Sequence, residues 1–197
     1  MRGSLRTDAR SSIGRILAAA RRLLGEPTAA SLNRIAQEAG VGIATLYRHF
    51  PNRQVLARAV LEQVFDEEVE PLLARFAEGD APRADLLAVA ERLVDLLHRE
   101  RGVVASIGNP TDVTAHFLAR DRRLADAVAR ARLAGNLRPD LDADDLPALL
   151  AMLVTGPGLL DAEPTSRRRY LSLLLDGLNP GRAEPLPPRP PVGPGRP

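Results

Sequence analysis

The chain has 197 residues, 45% hydrophobic and 26% charged but only 3% aromatic, a globular composition that excludes a wholly disordered or collagen-like chain. It contains no cysteine, so disulfides, thiolate metal sites and cysteine nucleophiles are excluded. The net charge of +2 conceals a split: residues 1–53 carry nine Arg against three acids, net +6, and residues 54–178 carry 15 Arg against 21 acids, net −6. A basic head suited to a polyanion thus precedes an acidic body.

The first helix is predicted from Thr7 or Asp8 to Leu24, with Ile13, Ile16, Leu17 and Leu24 on one face and Gly25 as its stop. Met1 to Leu24 is also Arg-rich and amphipathic, as a mitochondrial transit peptide is. We read it as part of the fold, because the helices that follow need a partner to pack on. Ser31 is placed to cap a short helix over Leu32–Ala39, ended by Gly40. A third helix covers Ile43–His49 and is stopped by Pro51, whose ring biases Phe50 out of the helical region. The fourth starts near Asn52 and carries Leu56, Val60, Val64 and Leu61, Phe65, Val69 as two adjacent stripes, until Pro71 kinks or ends it.

After a polar break at Glu78–Pro82, helical periodicity resumes over Ala84–Arg99. Asn109-Pro110 opens a short helix to about Ala119, and another runs from Asp121 to Ala134 with Gly135 as its stop. Asp142 caps a segment through Val154, and Thr165–Asp176 forms the last helix, followed by Gly177. The expectation is about nine helices and no sheet, an all-α protein. The longest apolar run, Leu146–Val154, falls well short of the roughly 18 residues of a membrane span. From Asn179 onward eight of 19 residues are Pro, which predicts an extended, disordered tail. The organisation expected is a basic head over 1–53, a helical body over 54–178 and a tail over 179–197.

The informative stretch is Ser31–Arg53, SLNRIAQEAGVGIATLYRHFPNR. Two short helices joined by a three-residue turn containing Gly are the frame of a helix-turn-helix. Ala36 is small where the helices cross, Gly40 supplies a left-handed turn residue, and Ile35, Ala39, Val41 and Leu46 are apolar where the pair must bury itself. The block Ala36–Val41, then Thr45-Leu46-Tyr47 and His49-Phe50-Pro51-Asn52-Arg53, resembles the signature of the TetR family of bacterial transcriptional regulators over roughly residues 10–60.

That resemblance implies a nine-helix dimer whose head binds operator DNA and whose body dimerises through its last two helices and takes a small-molecule effector. It implies a cytoplasmic protein, most often a repressor, with no cofactor. Gly42 departs from the Ser or Thr often found at that family position. Glycine still caps a helix there, but a hydroxyl contact to phosphate is lost. On a groove-lying helix, Ile43, Ala44, Thr45 and Arg48 lie where base edges are read: Arg48 can fork onto guanine, and Ile43 and Ala44 can touch thymine methyls. Tyr47 and His49 match family positions that bond phosphate, Arg53 matches the basic phosphate clamp, and Asn33 matches a position that reaches bases or phosphate.

The body shows no catalytic signature: no Gly-rich phosphate loop, no G-x-S-x-G and no H-E-x-x-H. Asp112 and His116 are only two potential metal ligands. Asp140, Asp142, Asp144 and Asp145 look like a calcium loop without its Gly and closing Glu, and read as a helix start. Phe65, Phe76, His116, Phe117 and Met152 are candidates to line an effector cavity between the fourth helix and Ala84–Ala134, although apolar residues at helical spacing are more often core. The segment Leu133–Asp140 resembles the SbtR-like subgroup of TetR-family C-terminal domains. Excess apolar surface on the last helix, at Tyr170, Leu171, Leu173, Leu174, Leu175 and Leu178, predicts burial against a second copy, with Leu171 and Leu175 in that interface. Two other classes fit parts of the pattern: a helical enzyme or carrier with a vestigial helix-turn-helix, and a ligand-independent DNA-binding protein.

Overall fold

A computed structural model describes residues 2–26, 30–79, 82–108, 122–142, 144–146, 148, 149, 152, 163–179, 181 and 184–187. Among them lie nine helices and no strand: α1 (Arg2–Leu24), α2 (Leu32–Glu38), α3 (Ile43–His49), α4 (Arg53–Glu68), α5 (Glu70–Glu78), α6 (Pro82–Arg99), α7 (Arg101–Ile107), α8 (Arg122–Leu133) and α9 (Pro164–Asp176). None is long and apolar enough to cross a membrane. The helix expected over Asn109–Ala119, with its Asp112–His116 pair, lies outside the described residues, as does most of Leu146–Val154.

The helix ends follow local chemistry. Ser31 Oγ accepts the Arg34 amide at 3.2 Å, and Asn52 Oδ1 accepts the Val55 amide at 2.9 Å, the two side-chain N-caps that open α2 and α4. Asp142 and Asp145 start the next segment: the Asp142 amide donates to Asp145 Oδ2 at 2.8 Å, and the Asp145 amide donates to the Asp142 carbonyl at 3.0 Å. These aspartates therefore cap a helix start.

α4 is the axis of the molecule. It buries Leu56, Ala57, Val60, Leu61, Val64 and Phe65, both stripes at once, because α1 and α7 pack along it and α5 and α6 meet it as well. Its end shows how Pro71 acts. The α4 ladder closes with the Val69 amide on Phe65 O at 2.8 Å, and α5 restarts at Glu70 with Pro71 in its first turn. Proline lacks an amide that the first turn leaves unpaired anyway, so it opens α5 instead of kinking α4.

Two elements were not legible as helices: α5, and α7 with Gly102 near its start. The latter glycine answers a tertiary demand. A methyl group at Gly102 would lie 2.3 Å from Leu24 O and 2.9 Å from Gly25 Cα, so α7 seats its backbone directly against the end of α1.

Three ion pairs fasten α9 antiparallel to α6: Arg83 with Asp176, Arg168 with Glu91 at 3.1 Å, and Arg167 with Asp95. This seating overturns one expectation for the last helix. Leu171 and Leu175 are buried within the chain's own core, whereas Tyr170, Leu173 and Leu174 stay exposed. α6 takes the stripe that carries Arg167, Leu171 and Leu175, which leaves the other apolar stripe outward.

Part of the tail is tied to the body. Residues 184–187 are extended but held: Leu186 N–H donates to Asp140 Oδ2 at 2.8 Å, and Arg138 Nη2 donates to Glu184 O at 2.5 Å. Arg138 also pairs with Asp140 and donates to Gly177 O. The Arg138 guanidinium, followed by the Leu186 amide, holds the Asp140 carboxyl far below the usual carboxylate range. A depressed folded-state value stabilises the ionised form, so the strap persists above the ordinary Asp range and is lost only as pH falls through the lowered one. The expected result is a Leu186 amide resonance unchanged from pH 7 to pH 4 and displaced only in stronger acid.

Candidate nucleic-acid interface

The reading unit is α2, a turn and α3. Gly40 has φ +63°, a left-handed conformation that costs other residues a Cβ clash. Around it the Val41 amide donates to Ala36 O at 3.0 Å and the Gly40 amide to Gln37 O at 3.1 Å. This pair of bonds is a Schellman C-cap. It reverses the chain tightly enough that Gly42 already accepts the first α3 bonds, from the Thr45 amide at 2.9 Å and the Leu46 amide at 3.2 Å. Gly42 offers no side-chain cap.

Burial divides α3 into two faces. Leu46 and Phe50 are buried with Ile35, Ala36 and Ala39 of the preceding helix and turn, so they fix the crossing and touch no partner. Ala44 and Arg48 are exposed, Tyr47 is half exposed and Ile43 lies at the margin of exposure; with Gly42 they form one outward strip. Thr45 and His49 are half-buried at its edges, His49 tilted against the Phe50 ring with centroids 6.3 Å apart. Asn33 is exposed near the start of α2. Five of the nine expected DNA-facing residues, Gly42, Ile43, Ala44, Tyr47 and Arg48, thus share the outward strip of α3.

Arg53, another of the nine, turns inward. Its Nε donates to Ser106 Oγ at 3.2 Å and its Nη1 to Ala30 O, so this guanidinium clamps protein where a phosphate clamp was expected. Sequence reasoning had no means to see this, since both partners are remote in sequence.

The remaining head arginines make the same point by contrast. Arg15 donates to Ala39 O at 3.1 Å, Arg22 pairs with Glu38, and Arg34 pairs with Glu26 at 3.1 Å. Arg21 donates through Nε and Nη2 to Glu100 Oε1 at 2.8 and 2.6 Å. The Glu100 carboxylate raises the Arg21 guanidinium above its ordinary value. Among the six head arginines whose side chains are described, Arg48 alone makes no hydrogen bond or ion pair with a described residue. It is also the one on the exposed strip of α3.

The candidate effector residues are less unified. Phe65 and Phe76 are core residues. Met152 is 60% exposed, so it lines no closed cavity among the described residues. His116 and Phe117 lie outside them. Two hollows lined by described residues are a groove of about 380 Å³ between α1 and α4 and a cleft of about 850 Å³ where the end of α1, the start of α4 and α7 meet. The pocket expected between α4 and residues 84–134 would take in residues 109–121, which lie outside the described residues.

A compact helix pair with a tight glycine turn, an exposed polar strip on its second helix and one uncommitted arginine on that strip define a helix-turn-helix DNA-binding regulator. The chain belongs to the TetR family. The family model "Bacterial regulatory proteins, tetR family" matches residues 16–60, and "Transcriptional regulator SbtR-like, C-terminal domain" matches residues 81–180.

The chain is 31% identical to a TetR transcriptional regulator from Streptomyces coelicolor of known structure, over 86% of this chain and 99% of that one, with a TM-score of 0.51. It is 28% identical over 186 residues to the HTH-type transcriptional regulator UidR of Escherichia coli, covering 87% of this chain and 92% of that protein. RolR, solved in complex with resorcinol, shares the fold at 20% identity, with a TM-score of 0.65 over 87% of this chain and 89% of that one. The protein is therefore a TetR-family DNA-binding transcriptional regulator and not an enzyme. Regulators of this family function as dimers and bind small-molecule ligands.

Proposed function

We propose that two copies of this chain bind a pseudo-palindromic operator in the cytoplasm, repress transcription from it, and release it when the body takes up a small molecule. The division of labour is a DNA-binding head over 1–53, a ligand-binding and dimerisation body over 54–178 and a tail over 179–197. In each copy α3 lies in the major groove. Arg48 reads a guanine edge, Ile43 and Ala44 touch thymine methyls, and Thr45 lies beside them. Tyr47, His49 and Asn33 reach phosphate, with Gly42 allowing close approach of the backbone. The observation that carries this reading is Arg48, exposed on α3 and uncommitted while its neighbours are engaged. Resorcinol bound to RolR, a protein of the same fold, supports a ligand-responsive body.

The test selects duplexes from random sequence with the whole protein, then compares the selected duplex with a scrambled one. Arg48→Ala is expected to cost on the order of 1–3 kcal/mol per half-site on the selected duplex and to relax specificity at one base pair. Equal weakening on scrambled DNA would mean that Arg48 meets phosphate and that the base readout lies elsewhere.

A further inference from the structure

We propose that Arg53 is a positioning residue: it pins the start of the DNA-reading helix pair to α7 of the body and transmits the placement of α7 to α2 and α3 without touching DNA. This rests on the DNA-binding reading above.

Three contacts from one short stretch of the body reach the head. Glu100, buried between α6 and α7, accepts from Arg21 of α1. Gly102 seats α7 against Leu24 and Gly25. Ser106, one helical turn further on, accepts from Arg53 Nε at 3.2 Å and donates its own proton to Gly102 O at 3.0 Å. The first two contacts act on α1.

Arg53 carries the connection directly to the start of α2, because its Nη1 bonds the carbonyl of Ala30; α1 reaches the end of α2 separately, through Arg15 on Ala39 O and Arg22 on Glu38. Ala30 immediately precedes Ser31, the N-cap of α2, and Arg53 itself lies four residues after the end of α3. One guanidinium therefore holds both ends of the reading pair, the start through Ala30 and the finish through the chain itself. A planar fork with several fixed donors can bridge a hydroxyl and a carbonyl at once, and a lysine ammonium lacks that geometry. The bridge stands beside the cleft of about 850 Å³ lined by Leu24, Arg53, Gly102 and Ser106. A shift of α7 thus has room to occur and a direct path to α2.

The experiment compares wild type with Arg53→Gln, Ser106→Ala, the double variant and Arg53→Lys, on a duplex selected from random sequence by the wild type. Arg53→Gln is expected to weaken binding about tenfold, and Ser106→Ala less, as lost hydrogen bonds to a charged group do. The double variant should be no weaker than Arg53→Gln alone, because both changes break one bridge. Arg53→Lys should restore only part of the affinity. The slope of log affinity against log salt should stay at its wild-type value in all four, whereas loss of a phosphate contact would lower it by about one per subunit. A lowered slope, or effects of Arg53→Gln and Ser106→Ala that multiply, would overturn the pin.

A second readout needs no DNA. In the free protein, both single variants should speed hydrogen exchange at the Ile35–Ala39 amides while leaving Leu56–Val64 of α4 unchanged. Unchanged exchange in α2 would also overturn the pin. If the wild type selects no duplex, the DNA-binding reading fails, and hydrogen exchange still decides the pin.

Discussion

Gly102→Ala is expected to cost about 2–3 kcal/mol of folding stability, the scale of overpacking against atoms that cannot yield. The added methyl would meet Leu24 O at 2.3 Å and Gly25 Cα at 2.9 Å, both backbone, so relief requires α7 to back away from α1 as a unit. That movement would strain the Arg21–Glu100 bond and the Arg53–Ser106 bond, which lie to either side of Gly102. An alanine in a helix normally gains roughly 0.5–1 kcal/mol over glycine, and Gly14 supplies that comparison within the same protein. It lies exposed inside α1, with no neighbouring atom within 4 Å of where a methyl would sit. Gly14→Ala should therefore raise the urea midpoint and Gly102→Ala lower it, with the same slope in both. A Gly102→Ala protein as stable as the parent would mean that α7 is not seated on α1.

Gly40 and Gly102 mark what a sequence can and cannot convey. The turn at Gly40 is local: a short periodic helix, a residue free to take positive φ and a second helix within three residues constrain one another. The observed bounds of α3 and the caps at Ser31 and Gly40 accordingly match the sequence reading. Gly102 responds to a helix nearly 80 residues away, and no periodicity within its own segment announces such a neighbour. α7 was missed for that reason. Pro71 is an intermediate case. Its missing amide marks a boundary, but a boundary is satisfied equally by a helix ending or a helix starting, and the packing of α5 on α6 and α8 selects the start.

The arginines divide along the same line. Every basic residue in the chain is Arg, so residue type alone does not distinguish a ligand for DNA from a strut. Arg48 and Arg53 sit five residues apart in one motif, yet one faces solvent and the other bonds Ala30 and Ser106. Charge in the head is therefore a poor count of DNA contacts. Of the six described guanidiniums there, five are occupied by carboxylates, hydroxyls or carbonyls of the protein itself.

Leu173→Glu together with Leu174→Glu is expected to give a folded monomer. Tyr170, Leu173 and Leu174 occupy i, i+3 and i+4 of α9, one face of one helix, and are 49, 59 and 54% exposed in the single chain. The neighbouring stripe, Arg167, Leu171 and Leu175, is buried in the single chain, and the three ion pairs to α6 hold it inward. α9 therefore cannot rotate to hide its outer stripe, and a second copy related by a twofold axis would cover it with the same residues. Two carboxylates there face their own images across the axis and leave the buried stripe intact. Sedimentation should show monomers with a urea midpoint close to that of wild type measured at low concentration. Leu171→Glu should behave oppositely and unfold the chain, since it places an unpaired charge in the core. Losing the second head removes its high local concentration on the operator, and affinity for a two-half-site duplex should fall by about 10²–10⁴, while affinity for a single half-site stays unchanged. A dimer that survives both glutamates would place the twofold contact on another surface.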